Sequence, residues 1–213
     1  MKPKAVLFDC DGVLVDSEPT VHRLLADRLS VAGLSVTPAQ VSGMFLGGTI
    51  AGLAGHAKTL GAAIGEGWVE EIYAEMNTAL ADTVEIPGAR ALVMDLLAAK
   101  IPLAVCSNGP VAKMEVTLGA TGMWDALEGH LFSAHVHATP KPAPDLYLMA
   151  AKRLGVTPDQ CLVVEDSANG ARAARAAGMP CLALALPESA DAVRAEGATV
   201  ISTLDAVRRA VLG

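Results

Sequence analysis

This 213-residue chain has little that would cross-link it, anchor it in a bilayer or draw it to a polyanion. Its four cysteines, Cys10, Cys106, Cys161 and Cys181, form no C-x-x-C pair. Each lies in or beside an apolar run, where a thiol behaves as a small hydrophobe, so all four are expected reduced and buried. Cys10 stands between two aspartates, which raise a thiol's pKa and argue against a redox sensor. No apolar run reaches membrane-spanning length, and the few apolar residues before Asp9 are too short for a signal-peptide core. A cytoplasmic protein is expected. Basic residues are outnumbered 16 to 23, giving a net charge of −7 that repels polyphosphate backbones and anionic headgroups. Neither nucleic acid nor a membrane is therefore an expected partner. Aromatics make up only 3% of the chain, and Trp68 and Trp124 read as packing residues or helix-end anchors, not a stacking platform. Repeats are absent, and the only compositional bias is towards alanine.

What is present is apolar: 52% of residues are hydrophobic and 18% charged, the composition of a packed globule of one or two domains. Short apolar runs, Ala5 to Phe8, Leu103 to Cys106, Cys161 to Val164, Cys181 to Leu184 and Thr199 to Ile201, suit strands buried on both faces. Amphipathic stretches lie between them, including Ala89 to Ala99, Ala143 to Leu154 and Ala171 to Ala177, the last closed by Gly178 and Pro180. This β-α alternation predicts an α/β fold with a doubly wound parallel sheet. From Pro19 to Ala81 the rhythm breaks into helical periodicity alone, with Thr37-Pro38-Ala39-Gln40 resembling a capped helix start. A helical domain over 17–83, inserted in a core of 1–16 and 84–213, is expected. Leu14 to Glu18 and Ile86-Pro87-Gly88 would form its hinge.

Three of the buried runs end in reactive groups: Asp9-Cys10-Asp11-Gly12, Ser107-Asn108-Gly109 and Glu165-Asp166-Ser167. Ligands of an open parallel sheet bind at the carboxyl ends of its strands, so these groups should converge on one crevice. A plain turn would explain any one of them but strains to explain all three. Four carboxylates gathered there, Asp9, Asp11, Glu165 and Asp166, repel one another and need a cation. Oxygen ligands without paired Cys or His favour a hard divalent ion, Mg²⁺ over Ca²⁺ where few protein ligands leave room for water and phosphate. Lys141, in Thr139-Pro140-Lys141-Pro142, adds a positive charge on a proline-stiffened loop, unless it is an ordinary solvated lysine.

In order and spacing these residues resemble the four motifs of the haloacid dehalogenase superfamily, in its phosphatase branch. Asp9-x-Asp11-Gly12-x-Leu14-x-Asp16-Ser17 is similar to the first, Ser107 to the second, Lys141-Pro142-x-Pro144-Asp145 to the third and Glu165-Asp166-Ser167-x-x-Gly170 to the fourth. The likeness spans nearly the whole chain and implies a Rossmann-like core and a two-step phosphoryl transfer. Asp9 would be the nucleophile forming an aspartyl-phosphate, and Asp11, its carboxyl pKa raised, the acid and base. Ser107, Asn108 and Lys141 would bind the phosphoryl group. Mg²⁺ would be held by the Asp9 carboxylate, the Asp11 carbonyl and the Asp166 carboxylate, with Glu165 as a further ligand or beside it. Asp11 is generally missing from the dehalogenase members, which points away from halide displacement.

The resemblance also makes the helical insertion a mobile cap that closes over the site and selects the substrate. Phe45-Leu46-Gly47-Gly48-Thr49 would face the substrate, through Gly47 and Gly48, unless it is a plain glycine-rich turn. β-Phosphoglucomutases of this subgroup carry an arginine just after that loop for a second phosphate, where Ile50 stands here. The opening Phe8 to Gly12 and Ser107-Asn108-Gly109-Pro110 through Lys113-Met114 are similar to the bacterial 6-phosphogluconate phosphatase type. The expected activity is Mg²⁺-dependent hydrolysis of a small phosphate ester, a phosphorylated sugar or sugar acid, by a monomer or weak homodimer. A phosphosugar mutase is the first alternative, and a non-catalytic binding or regulatory protein on the same fold the second. His22, Arg23, His56 and Lys58 are candidate partners of a sugar acid, or solvated surface charges. His135-x-His137 could face two imidazoles to one side of an extended segment, but lacks a third zinc ligand.

Overall fold

A computed structural model describes residues 2–44 and 49–213, with no side-chain description at Ser42. In chain order its elements are β1 (Ala5–Phe8), β2 (Val15–Asp16), α1 (Glu18–Val31), α2 (Pro38–Met44), α3 (Ile50–Thr59), α4 (Trp68–Ala79), β3 (Val84–Glu85), α5 (Ala89–Ala98) and β4 (Leu103–Ser107). There follow α6 (Val111–Ala120), α7 (Trp124–Leu127), β5 (Leu131–Ser133), α8 (Ala134–His137), α9 (Asp145–Leu154) and β6 (Cys161–Glu165). The chain closes with α10 (Ala168–Ala176), β7 (Cys181–Ala183), α11 (Ala190–Ala195), β8 (Thr199–Val200) and α12 (Asp205–Val211).

Six strands form one parallel sheet in the order β5-β4-β1-β6-β7-β8. Side chains alternate across a strand, and β1 divides its four residues accordingly. Val6 and Phe8 join the core under α5, α6 and α12, while Ala5 and Leu7 join the core under α9, α10 and α11. The sheet is thus covered on both faces, as the unbroken apolar runs required. Strand order runs outward from β1 through β4 to β5, then crosses to β6 on the other side of β1. The carboxyl end of β1 is therefore the topological switch point, where crevices open.

The strand β5 and the pair β2 and β3 escape a reading based on apolar runs, because they have three residues or fewer and are partly exposed. β2 and β3 pair antiparallel, and the Ile86 amide donates to the Leu14 carbonyl at 3.0 Å, so the two linkers cross as one ribbon. Beyond the ribbon, α1 to α4 pack around their own core of Leu25, Leu29, Leu53, Ile72 and Leu80. The expected capping box forms: the Gln40 amide donates to Thr37 Oγ1 at 3.3 Å, and the Thr37 amide donates to Gln40 Oε1 at 2.9 Å. Trp68 is buried in this second core at the start of α4, and Trp124 opens α7 against the sheet core. No described helix is long and apolar enough to cross a membrane.

Because Leu7 is fully buried at the centre of the sheet, Leu7→Ala should lower unfolding stability by about 2–5 kcal/mol, read as a shift in the urea midpoint with an unchanged slope.

Candidate active site

Register brings the reactive groups together. Phe8 is level with Val105 on one side and Val164 on the other, so the residues just after them share the sheet's carboxyl edge. Asp9 extends the ladder by donating its amide to the Val164 carbonyl at 2.8 Å. Asp9, Asp11, Ser107, Asn108, Lys141, Glu165 and Asp166 all line one cavity of about 620 Å³ between the sheet edge and the helical unit.

Lys141 is the centre of this arrangement and is only 3% exposed. Its ammonium donates to Asp9 Oδ1 at 2.5 Å and to Glu165 Oε1 at 2.6 Å, and sits 5.0 Å from the centre of the Tyr147 ring. One buried cation bridges two carboxylates and offsets their mutual repulsion, and it would be a costly charge without them. The loop carrying Lys141 is fixed by Asn108, whose Oδ1 accepts from the Lys141 amide at 2.8 Å and whose Nδ2 donates to the Lys141 carbonyl at 3.2 Å. Both ends of the Asn108 side-chain amide thus bind the backbone that presents Lys141, while Asn108 itself lines the cavity where it is expected to contact substrate.

Glu165 is likewise engaged. Its Oε1 accepts from Lys141 and from Tyr147 Oη at 2.9 Å, and its Oε2 accepts from the Asp166 amide, the Ser167 amide and Ser167 Oγ at 2.9, 3.0 and 2.9 Å. Burial alone would raise this carboxyl, but Lys141 and the two amides outweigh it and hold Glu165 below the usual range. With five donors on its two oxygens, Glu165 shapes the loop and orients Lys141, an arrangement that suits a place beside the metal more than a place on it. Gly170 makes room for it, since a Cβ there would lie 1.7 Å from Glu165 Oε1.

Asp166 differs. Among the described residues it has no salt-bridge partner, and burial, with Glu165 and Asp9 nearby, pushes its carboxyl well above the ordinary range. Asp9 rises to about 7, chiefly through burial, against the opposing pull of Lys141. Two buried carboxyls destabilised as anions, with hard oxygen donors, make a site that a divalent cation fits. Gly12, at φ +77°, lets Asp166 reach this loop, because a Cβ there would meet Asp166 Oδ2 at 2.2 Å. No three His, Cys, Asp or Glu side chains converge as a metal group among the described residues. Two carboxylates and a main-chain carbonyl do not constitute such a group.

Asp11 departs from expectation in its charge. Burial would raise its pKa, but Lys113 Nζ at 2.6 Å and a hydrogen bond from Ser17 Oγ hold it below the ordinary carboxylate value. The raised carboxyl expected from the resemblance is not found, because a buried lysine faces it. Ser107, almost fully buried at the end of β4, accepts from the Gly109 amide at 3.0 Å through its Oγ.

The helical unit contributes Val21, His22, Thr49, Ile50, Tyr73 and Met76 to the cavity. Ile50 is buried among apolar neighbours, and of the four candidate cations only His22 reaches the cavity wall; Arg23, His56 and Lys58 do not. Gly47 and Gly48, with Phe45 and Leu46, lie outside the described residues. His135 and His137 are on helix α8, not an extended segment, and engage different neighbours: His135 meets Tyr73 Oη at 3.0 Å, and His137 stacks on Phe132 at 6.0 Å. The four cysteines are free and buried, and burial pushes the Cys106 thiol to about 12.

Lys113, Tyr147 and Ser17 were not among the expected site residues. Lys113 had a legible signal, a lysine on the face of α6 shared by Met114, Thr117 and Leu118, where helical spacing asks for apolar side chains. Tyr147 had none, since an aromatic on the buried face of α9 reads as packing.

Fold and site together define an α/β protein with an inserted helical unit and a buried carboxylate, Asp9, at the sheet's switch point. A family model described as haloacid dehalogenase-like hydrolase matches residues 3–178, and the chain belongs to that family. It is 34% identical over 179 residues to the 6-phosphogluconate phosphatase of Escherichia coli (strain K12), covering 83% of this chain and 80% of that protein. A crystal structure of a HAD family hydrolase from Deinococcus radiodurans R1, with bound phosphate and sodium, superposes with a TM-score of 0.79 at 30% identity, covering 98% of this chain and 95% of that one. From Arabidopsis thaliana, the chloroplastic protein SUPPRESSOR OF QUENCHING 1 is 34% identical over 86% of this chain. The chain spans 18% of that protein's length, and 62% of a CBBY-like protein from the same plant.

Gly170→Ala should displace Glu165 and with it the Lys141 contact. A loss of about 1–3 kcal/mol in stability is expected for such overpacking, measured by thermal melting, together with impaired activity.

Proposed function

We propose that the chain is a phosphatase that hydrolyses a small phosphate monoester, a phosphorylated sugar or sugar acid, through an aspartyl-phosphate on Asp9. The observation that carries this reading is the buried Asp9 at the switch point, ion-paired to Lys141 at 2.5 Å, with Asp11 two residues on. An Asp9 oxygen attacks phosphorus while the bond to the leaving oxygen breaks, and Asp11, which must take up a proton against the pull of Lys113 before it can act, gives that proton to the leaving oxygen. Asp11, now ionised, takes a proton from water; that water attacks phosphorus, the bond to Asp9 breaks, and phosphate leaves. Ser107 and Lys141 bind the phosphoryl oxygens as negative charge spreads over them. Mg²⁺, held by the Asp9 and Asp166 carboxylates and the Asp11 carbonyl, would supply further positive charge at the phosphoryl group.

The relatedness to a named 6-phosphogluconate phosphatase supports the substrate class. Residues 17–83 act as the cap, with the ribbon of β2 and β3 as hinge, and the 620 Å³ cavity leaves space for a sugar beneath it. Ile50 at the start of α3, apolar and buried, disfavours the mutase alternative, which needs a second phosphate contact there.

Phosphate release from sugar phosphates, sugar-acid phosphates and nucleotides in Mg²⁺ tests the reading. Activity should concentrate on a few sugars or sugar acids. Asp9→Asn should lower kcat by more than about a thousandfold, and Lys141→Met by about 100- to 1000-fold. Chelation of the metal should abolish turnover, and added Mg²⁺ should restore it. Isomerised sugar phosphate formed only with a bisphosphate primer would make the protein a mutase, and silence in both assays would make it non-catalytic.

A further inference from the structure

We propose that Lys113 is a positioning residue of this site: from the first turn of α6 its ammonium holds the Asp11 carboxylate in place for proton transfer. The inference rests on the reading of Asp11 as acid and base. Lys113 Nζ lies 2.6 Å from Asp11 Oδ1 and the lysine is only 8% exposed, so its ammonium is largely shut away from water while Asp11 borders the cavity. A buried ammonium is costly, and an apolar side chain of similar length would suit the Met114, Thr117 and Leu118 face of α6 better. A charge kept there against that cost acts on the group it touches.

Asp11 Oδ1 accepts from both Lys113 and Ser17, while no donor meets Oδ2 among the described residues. The two donors come from different bodies: Lys113 from the core helix that follows the Ser107 loop, Ser17 from the residue that leads into α1 of the cap. Clamping one oxygen fixes the rotamer and leaves the other for the proton. Lys113 also offsets the field of Asp9, which would otherwise drive the Asp11 carboxylate away from the reacting centre. Lys141 cannot do this as well, since its ammonium already bridges Asp9 and Glu165.

The test compares wild type, Lys113→Met and Lys113→Arg, each with Mg²⁺, on 6-phosphogluconate, on glucose 6-phosphate and on p-nitrophenyl phosphate, whose leaving groups differ in charge and basicity. Lys113→Met should fold with a lowered melting temperature, because the Asp11 carboxylate is left without its partner. Its kcat should fall about 10- to 100-fold on every ester turned over by wild type, with KM changed by less than about threefold, and Lys113→Arg should recover part of the loss. A rise in KM confined to 6-phosphogluconate would overturn the proposal and make Lys113 a contact for the substrate carboxylate. An unchanged kcat would overturn it in favour of packing alone. If Lys113→Met does not fold, Lys113→Gln takes its place under the same criteria. A wild-type protein that releases no phosphate from any ester overturns the proposed function and this inference together, whereas an active wild type matched by an equally active Lys113→Met overturns only the latter.

Discussion

One buried ammonium sets the terms for the whole site. Lys141 lies between Asp9 and Glu165 at 2.5 and 2.6 Å, and neither carboxylate could stay beside the other at the end of β1 without it. The need to hold that cation accounts for the surrounding details. Asn108 fixes the backbone on either side of Lys141, Tyr147 presents both its ring face and its hydroxyl, and Glu165 gathers the 165–167 loop with its second oxygen. A lysine free to move would leave Asp9 with a different charge environment in every rotamer.

The sheet explains why these groups can meet although they are distant in sequence. Parallel strands end on one edge, and the reversal of strand order at β1 leaves a gap there that helices do not fill. Covering both faces with helices makes the strands apolar throughout, so polar chemistry is confined to their ends. The inserted helices then roof the gap from above. They pack around a core of their own, joined to the rest by a two-stranded ribbon and by Val116 of α6.

Charge is graded across the cavity. Asp166, with no salt-bridge partner among the described residues, has its carboxyl pushed up, whereas Asp11 and Glu165, each facing a lysine, are pushed down. Carboxyls a few residues apart in sequence thus differ in how readily they ionise because their neighbours differ.

The sequence by itself determined the α/β class, the buried strands, the helical interval and the capping box at Thr37, because apolar period and cap chemistry are local properties. It also marked Asp9, Asp11, Ser107 and Asp166, which stand out at the ends of apolar runs, and Lys141, which stands out as a lysine between two prolines. Short exposed strands such as β2, β3 and β5 carry too few residues to show a period. The tertiary structure alone decided who pairs with whom: that Asn108 binds backbone, that Glu165 is saturated, that His135 and His137 face different neighbours, and that Lys113 lies against Asp11. Partner choice for a polar side chain depends on which distant segment the fold brings within 3 Å, and the hydrogen-bonding capacity of a residue is the same in every fold until that neighbour arrives.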